Sequence, residues 1–212
     1  MKSDTAPSDS CLDDLRRAVL DMNRAVPQDG TPQATHALAV VAAIDKPLSR
    51  NRDYTPSDRP VTRFLQQCLN NLPTVYPALV STLREIGSFL HWQTNANYKT
   101  AFSQHFLDNE SFAEVIGPDG LLSSPDVRIC LMMMGRDTHY PLHNHEPTEL
   151  YHVISGTGWW RKGDEDWSQQ PSGGVIFHDV FQGHEMRTES EPFLTIASWV
   201  GDLSSGEAKP IN

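Results

Sequence analysis

At 212 residues the chain is long enough to bury a full core, and one domain carrying an extension is its natural organisation. Its 17 Lys and Arg against 27 Asp and Glu leave a formal charge of -10. Such a balance supplies no basic face to release counterions from phosphates, which removes nucleic acid and anionic membrane from the expected partners.

The three cysteines, Cys11, Cys68 and Cys130, stand far apart and form no C-x-x-C pair. Neither a disulfide framework nor a thiolate zinc knuckle is suggested, and a reducing, cytoplasmic compartment fits. The opening residues MKSDTAPSDSCLDD contain no apolar signal core, and no later run approaches the roughly 18 apolar residues of a membrane span.

From about residue 10 to residue 116 the pattern reads as helical. Leu12, Leu15, Val19, Met22 and Val26 recur at spacings of three and four, one stripe of an amphipathic helix. The runs TPQATHALAVVAAID, PVTRFLQQCLNNL and YPALVSTLREIGSFLHW read as further helices, with Pro32, Pro60 and Pro77 suited to first turns. SQHFLDNESFAEVIG is expected to add one more, ending near Gly117. KPLSRNRDYTPSDRP between them is polar and Pro-bearing, hence a surface loop or a seam.

After Gly120 the texture changes. DVRICLMMMG, ELYHVISG, TGWWRKG, GGVIFH, HEMRT and FLTIASWVG are short β-branched or aromatic runs separated by turn residues, the pattern of an antiparallel sandwich or barrel. The expected organisation is a helical region over residues 1–120 packed on a β-barrel over residues 121–212.

The chemistry concentrates in HYPLHNHEPTELYHVISG, residues 139–156. His143 and His145 differ by two, so on a strand both side chains leave the same face, and Glu149 and Tyr151 repeat that parity beyond a short turn. Pointed into a barrel, four polar groups converge where unpaired polar groups are costly, and a divalent metal is the compensating partner. His184, on a later strand, is the candidate third imidazole. Imidazoles with one carboxylate suit Fe(II), Mn, Ni, Co or Zn, and the lack of an accompanying cysteine argues against thiolate-selecting metals. His139 and His152 are read as ordinary hydrogen-bonded residues. A metal beside Tyr151 would favour its phenolate and make it a proton acceptor; the competing reading is an aromatic lining the barrel.

The arrangement H-x-H-x3-E-x6-G from His143 to Gly156, with the Gly173 to His184 segment, resembles the two motifs of the cupin superfamily. It implies a mainly β fold: a cupin (double-stranded β-helix, or jelly-roll) barrel with an N-terminal α-helical extension. Three features depart from the motifs: seven residues separate Gly135 from His143, Asp179 replaces a proline, and Phe181 replaces a glycine.

YPLHNHEPTELYHVISGTGWW, FHDVFQGHEMRT and PFLTIASWVGDL are together similar to the cupin-type dimethylsulfoniopropionate (DMSP) lyases of marine bacteria. That resemblance implies a β-elimination giving dimethyl sulfide and acrylate. It implies a metal at His145, Glu149 and His184, with His143 as an additional ligand, Tyr151 as base and Tyr140 holding the substrate. Dimethyl sulfide leaves as a neutral molecule, so one base and one Lewis acid suffice. The substrate is a small zwitterionic sulfonium, which suits aromatic faces; Tyr140 and then Trp199 lead the candidates, ahead of Trp159, Trp160 and Phe181. Residues His91–Tyr98 are read as a flap over the barrel mouth, as packing, or as the surface of a homodimer. The ligand set alone would also serve an Fe(II) dioxygenase, an isomerase or a non-catalytic ligand-binding cupin.

Overall fold

The computed structural model describes residues 6–71, 75–205 and 207–211. The first apolar stripe becomes α1, Asp9–Arg24, whose Ser8 side chain accepts the Cys11 N–H as an N-cap. Leu12, Leu15, Val19, Met22 and Val26 are all buried. Thr31 caps α2, Pro32–Asp45, with Pro32 in its first turn. Pro60 opens a 3-10 turn, Pro60–Phe64, that runs into α3, Leu65–Asn70. Pro77 opens α4, Pro77–Ile86, followed by a 3-10 turn at Gly87–Phe89. Two short helices follow, α5 at Tyr98–Ala101 and α6 at Gln104–Asn109.

The helix expected over residues 103–117 is half wrong. It stops at Asn109, and Glu110–Gly117 is a β-strand. Both faces of that strand are covered, so its sequence shows no polar and apolar alternation to betray it. Ala113 and Val115 pack toward the helices, while Glu110, Phe112 and Glu114 face a cavity inside the barrel.

The strands are β1 (Ser49–Arg50), β2 (Glu110–Gly117), β3 (Leu122–Ser123), β4 (Arg128–Met134), β5 (His139–Asn144) and β6 (Thr148–Ser155). After them come β7 (Gly158–Lys162), β8 (Ser168–Gln170), β9 (Val175–His178), β10 (His184–Thr188), β11 (Phe193–Val200) and β12 (Lys209–Pro210). They form a seven-stranded sheet, β1-β3-β2-β4-β11-β6-β9, facing a five-stranded sheet, β12-β5-β10-β7-β8. From β4 onward the chain passes repeatedly from one sheet to the other, which is the winding of a double-stranded β-helix. The fold is thus a cupin barrel with N-terminal helices.

Two cores follow from strand parity. Ile129, Leu131 and Met133 of β4 and Leu194 and Ile196 of β11 join the helices in one apolar cluster. Their neighbours Met132, Met134, Phe193 and Ala197 point inward and pack with Tyr140, Tyr151, Trp160 and Met186 between the sheets. Cys11, Cys68 and Cys130 are all free thiols. Among the described residues no helix is long and apolar enough to cross a membrane.

Two histidines without an active-site position join the layers. His36 of α2 pairs its Nδ1 with Thr148 Oγ1 at 2.9 Å and its Nε2 with Ser198 Oγ at 3.0 Å, fastening the helix to the sheet. His152 points out of the barrel, where its Nδ1 lies 3.3 Å from the Tyr76 hydroxyl. Burial pushes the pKa of each ring down to about 4. Below the ordinary imidazole value near 6.5 the unfolded chain therefore takes up protons that the native chain refuses, and stability falls with pH down to about 4. More than about one pH unit above 6.5 the two rings contribute no pH dependence. Lowering the pH from 7 to 5 should cost about 2 kcal/mol for each histidine, read as a drop in the urea midpoint. A flat profile across that window would show that both rings titrate freely in the native state.

Candidate metal centre

One end of the barrel gathers the polar residues of the 139–156 stretch. Pairing of β10 with β5 sets His184 opposite His143 on the small sheet. On the large sheet, Glu149 of β6 is flanked by Trp199 of β11 and His178 of β9. His145 lies just past β5, in the turn that carries the chain from one sheet to the other. The facing sheets thereby bring His145, Glu149 and His184 together, all buried, with ligand-capable atoms within 4.8 Å of one another.

Each imidazole is oriented in the same way. His143, His145 and His184 pair Nδ1 with the carbonyl oxygens of Pro141, Pro147 and Gln182 at 2.8, 2.8 and 2.9 Å. A neutral ring that donates Nδ1–H presents a lone pair at Nε2, the tautomer a metal requires. His145 Nε2 stands 3.0 Å and His184 Nε2 3.3 Å from the same oxygen, Glu149 Oε2. The shorter contact has hydrogen-bond geometry; His184 Nε2 has none and is an orphaned buried atom. Two lone pairs aimed at one carboxylate oxygen repel unless a cation lies among them. Burial works against the Glu149 anion, and positive charge on the facing His145 and His184 would outweigh it and hold the carboxyl well below the usual range, a part that a cation takes when both rings are neutral. The donor set, two imidazoles and a carboxylate, fits a divalent transition metal.

His143 lies outside that trio. Its ring stacks on Tyr140, centroids 3.9 Å apart, and meets the His184 ring at 4.2 Å. Trp199 donates Nε1–H to Glu149 Oε1 at 2.6 Å and packs on the His145 ring, fixing the carboxylate from the other side.

Tyr140, Tyr151 and Trp199 line one cavity together with His143, His145 and Glu149. Burial first, and then the Glu149 charge, raise the Tyr151 phenol well above its ordinary pKa. The Tyr140 hydroxyl is hydrogen-bonded to that of Tyr98. The other aromatic candidates lie elsewhere: Trp160 is packed against Tyr151 and Phe193, Trp159 carries the Arg187 guanidinium, and Phe181 is exposed. Phe181 adopts the left-handed region, φ 53°, that a glycine would occupy without strain. Its N–H still reaches the His145 carbonyl at 2.9 Å, so this departure from the cupin motif leaves the turn tied to the centre. Within 91–98, Gln93 and Asn95 border the cavity, while Trp92 and Tyr98 are buried. His139 is exposed and pairs with Glu185 at 2.7 Å.

His178 is the neighbour that sequence reasoning missed. It stacks on His184 at 3.8 Å, is fully buried, and neither ring nitrogen has a hydrogen-bond partner among the described residues. Its available signal was position, as the last residue of the strand that pairs with the Glu149 strand.

The sequence profile of the DMSP lyase family matches residues 33–195. This chain belongs to the dimethylsulfoniopropionate lyase family. It is thereby an enzyme of the carbon–sulfur lyase class. The DMSP lyase DddQ of Ruegeria pomeroyi is 24% identical over 177 residues, covering 82% of this chain and 87% of that relative. The crystal structure of DddQ from the same organism superposes with a TM-score of 0.80 at 21% identity, covering 96% of this chain and 97% of the other. A structure reported with the DMSP lyases RdDddP and RnDddQII superposes at 0.77 with 22% identity, covering 96% and 98%. At these identities the two structures share the fold with this family member, helical extension included.

Zinc(II) or manganese(II) added to chelator-stripped protein should raise its melting temperature, by the equivalent of about 2.7 kcal/mol at a hundredfold excess over Kd. His184→Ala should erase that rise. A rise that survives the substitution would place the ion elsewhere.

Proposed function

We propose that this chain cleaves dimethylsulfoniopropionate by β-elimination into dimethyl sulfide and acrylate. The observation that carries this reading is the cavity that Tyr140 and Tyr151 line together with His145 and Glu149, the latter two standing with His184 in the candidate metal cluster. Under this reading His145, Glu149 and His184 hold a divalent ion from the Fe(II), Zn, Mn, Ni and Co group, with His143 within reach as a further ligand. When bound, such an ion draws electron density from the substrate carboxylate and offsets the Glu149 charge that disfavours a Tyr151 phenolate.

The remaining work falls to side chains. Tyr151, two residues from Glu149 on the same strand face, takes the proton from the carbon next to the carboxylate as a phenolate. The electron pair of that C–H bond becomes the second bond of acrylate. The C–S bond breaks and its pair leaves with sulfur, converting the sulfonium to neutral dimethyl sulfide, so no group need protonate the leaving atom. Tyr140, anchored by Tyr98 and stacked on His143, holds the substrate and keeps that wall of the cavity rigid. The aromatic and aliphatic side chains around the site exclude water that would compete for the proton.

The purified protein should release dimethyl sulfide and acrylate in equal amounts from dimethylsulfoniopropionate. Tyr151→Phe should lower kcat by about a thousandfold with metal content intact. Lyase activity within a few-fold of wild type in that variant would remove Tyr151 from the base role. No dimethyl sulfide from the metal-replete wild type would remove the reaction itself.

A further inference from the structure

Away from the metal centre, the cavity crosses the inner face of the large sheet to β2. Three consecutive inward positions of that strand are Glu110, Phe112 and Glu114, and all three line the cavity. The two carboxylates differ in kind. Glu114 is ion-paired to Arg128 at 3.0 Å and accepts the Asp119 N–H at 2.7 Å. Glu110 is 2% exposed, accepts one hydrogen bond, from Thr94 Oγ1 at 2.8 Å, and has no ion-paired cation among the described residues. Arg59 acts on it only through space, with its guanidinium donating to the Leu107 carbonyl.

A carboxylate buried on a cavity wall without a countercharge is expensive to ionise. Burial does raise the pKa of Glu110, to about 7, against the lowering influence of Thr94 and Arg59. Its charge is felt by the phenols of Tyr98, Tyr140 and Tyr151, which places it within electrostatic reach of the groups around the metal centre. Phe112 and Trp199 supply aromatic surface in the same cavity. Anionic and aromatic groups together are the surroundings a compact, weakly hydrated onium ion prefers.

We infer that Glu110 is a specificity residue that receives the cationic end of the substrate, so the countercharge it lacks arrives with each sulfonium. The inference rests on the lyase reading for the identity of that cation. It also divides binding from chemistry. The sulfonium charge disappears as the C–S bond breaks, so attraction to Glu110 is greatest in the bound substrate and fades toward the transition state. Glu110 therefore strengthens binding without accelerating the chemical step, and it has no hold on neutral dimethyl sulfide. A carboxylate of the same shape with an uncharged tail gains nothing from it, which is how the site rejects ordinary carboxylates.

The test compares two carboxylates of one shape on metal-replete protein by calorimetry, 3-(trimethylammonio)propanoate, whose tail is cationic, and 4,4-dimethylpentanoate, whose tail is uncharged. Wild type should prefer the cation. Glu110→Gln should weaken the carboxylate with the cationic tail about 30-fold or more and leave the one with the uncharged tail within about twofold. KM for dimethylsulfoniopropionate should rise in parallel while kcat holds level or rises, because the lost attraction is strongest before the C–S bond breaks. Glu110→Asp, which keeps the charge on a shorter arm, should show a smaller loss of the same kind and serves if the glutamine variant does not fold. Equal weakening of both carboxylates would make Glu110 merely structural, and unchanged cation affinity would place the onium elsewhere; either overturns the inference. Cation preference in a wild type that releases no dimethyl sulfide would sink the lyase reading and leave Glu110 as the cation's partner.

Discussion

The site depends on one electrostatic constraint: a buried carboxylate, Glu149, approached on one oxygen by the Nε2 atoms of two imidazoles. Both rings have their Nδ1 committed to backbone carbonyls, so neither can turn away without losing a hydrogen bond in a buried place. The other Glu149 oxygen is taken by the Trp199 indole N–H. A cation among them would resolve every one of these contacts at once. The same fixity explains why the centre needs rigid surroundings, since a shift of either sheet would misalign its donors.

That rigidity comes from the helical half. An antiparallel sheet can leave one face in water, but here helices α1 to α4 cover the outer face of the seven-stranded sheet with a continuous apolar cluster. His36 adds two directional bonds across the boundary, to residues next to Glu149 and Trp199 in sequence. The inner face is left free to carry chemistry. Its rows run from Glu149 through Trp199 to Arg128, and from Tyr151 through Ala197 and Cys130 to Glu114. Among the described residues that line the cavity, the carboxylates Glu110, Glu114, Asp119, Glu149 and Glu207 stand against one Lys or Arg, Arg128, and Glu114 holds it. Under the proposed lyase reading, a zwitterion suits such a cavity, with its anionic end toward His145, Glu149 and His184 and its cationic end toward the acidic wall.

The legibility of the sequence tracked how local each feature is. The first helix, the first-turn prolines and the strands at 128–134, 148–155 and 193–200 follow from spacing and composition, because periodicity and caps act within a few residues. Strand β2 was misread because both of its faces are buried, which erases the alternation that marks a strand. Its pairing with β4 is a tertiary fact. His143 and His145 share parity as spacing requires, yet His145 sits beyond the strand end, and it is His145 that stands with Glu149 and His184. His178 carried no motif, and its place against His184 came only with the fold.

Sequence alone determined the chemistry available: which imidazoles, carboxylates and phenols lie at motif spacing, and that a barrel follows a helical region. These are properties of residue type and of contacts a few positions apart. The tertiary structure decided which of those groups meet, that Trp199 holds Glu149, and that Glu110 from a strand read as helix shares the cavity with Tyr151. Such meetings depend on strand order and on the closing of one sheet over the other, and chain-distant pairings of that kind leave no periodic trace in the residues that make them.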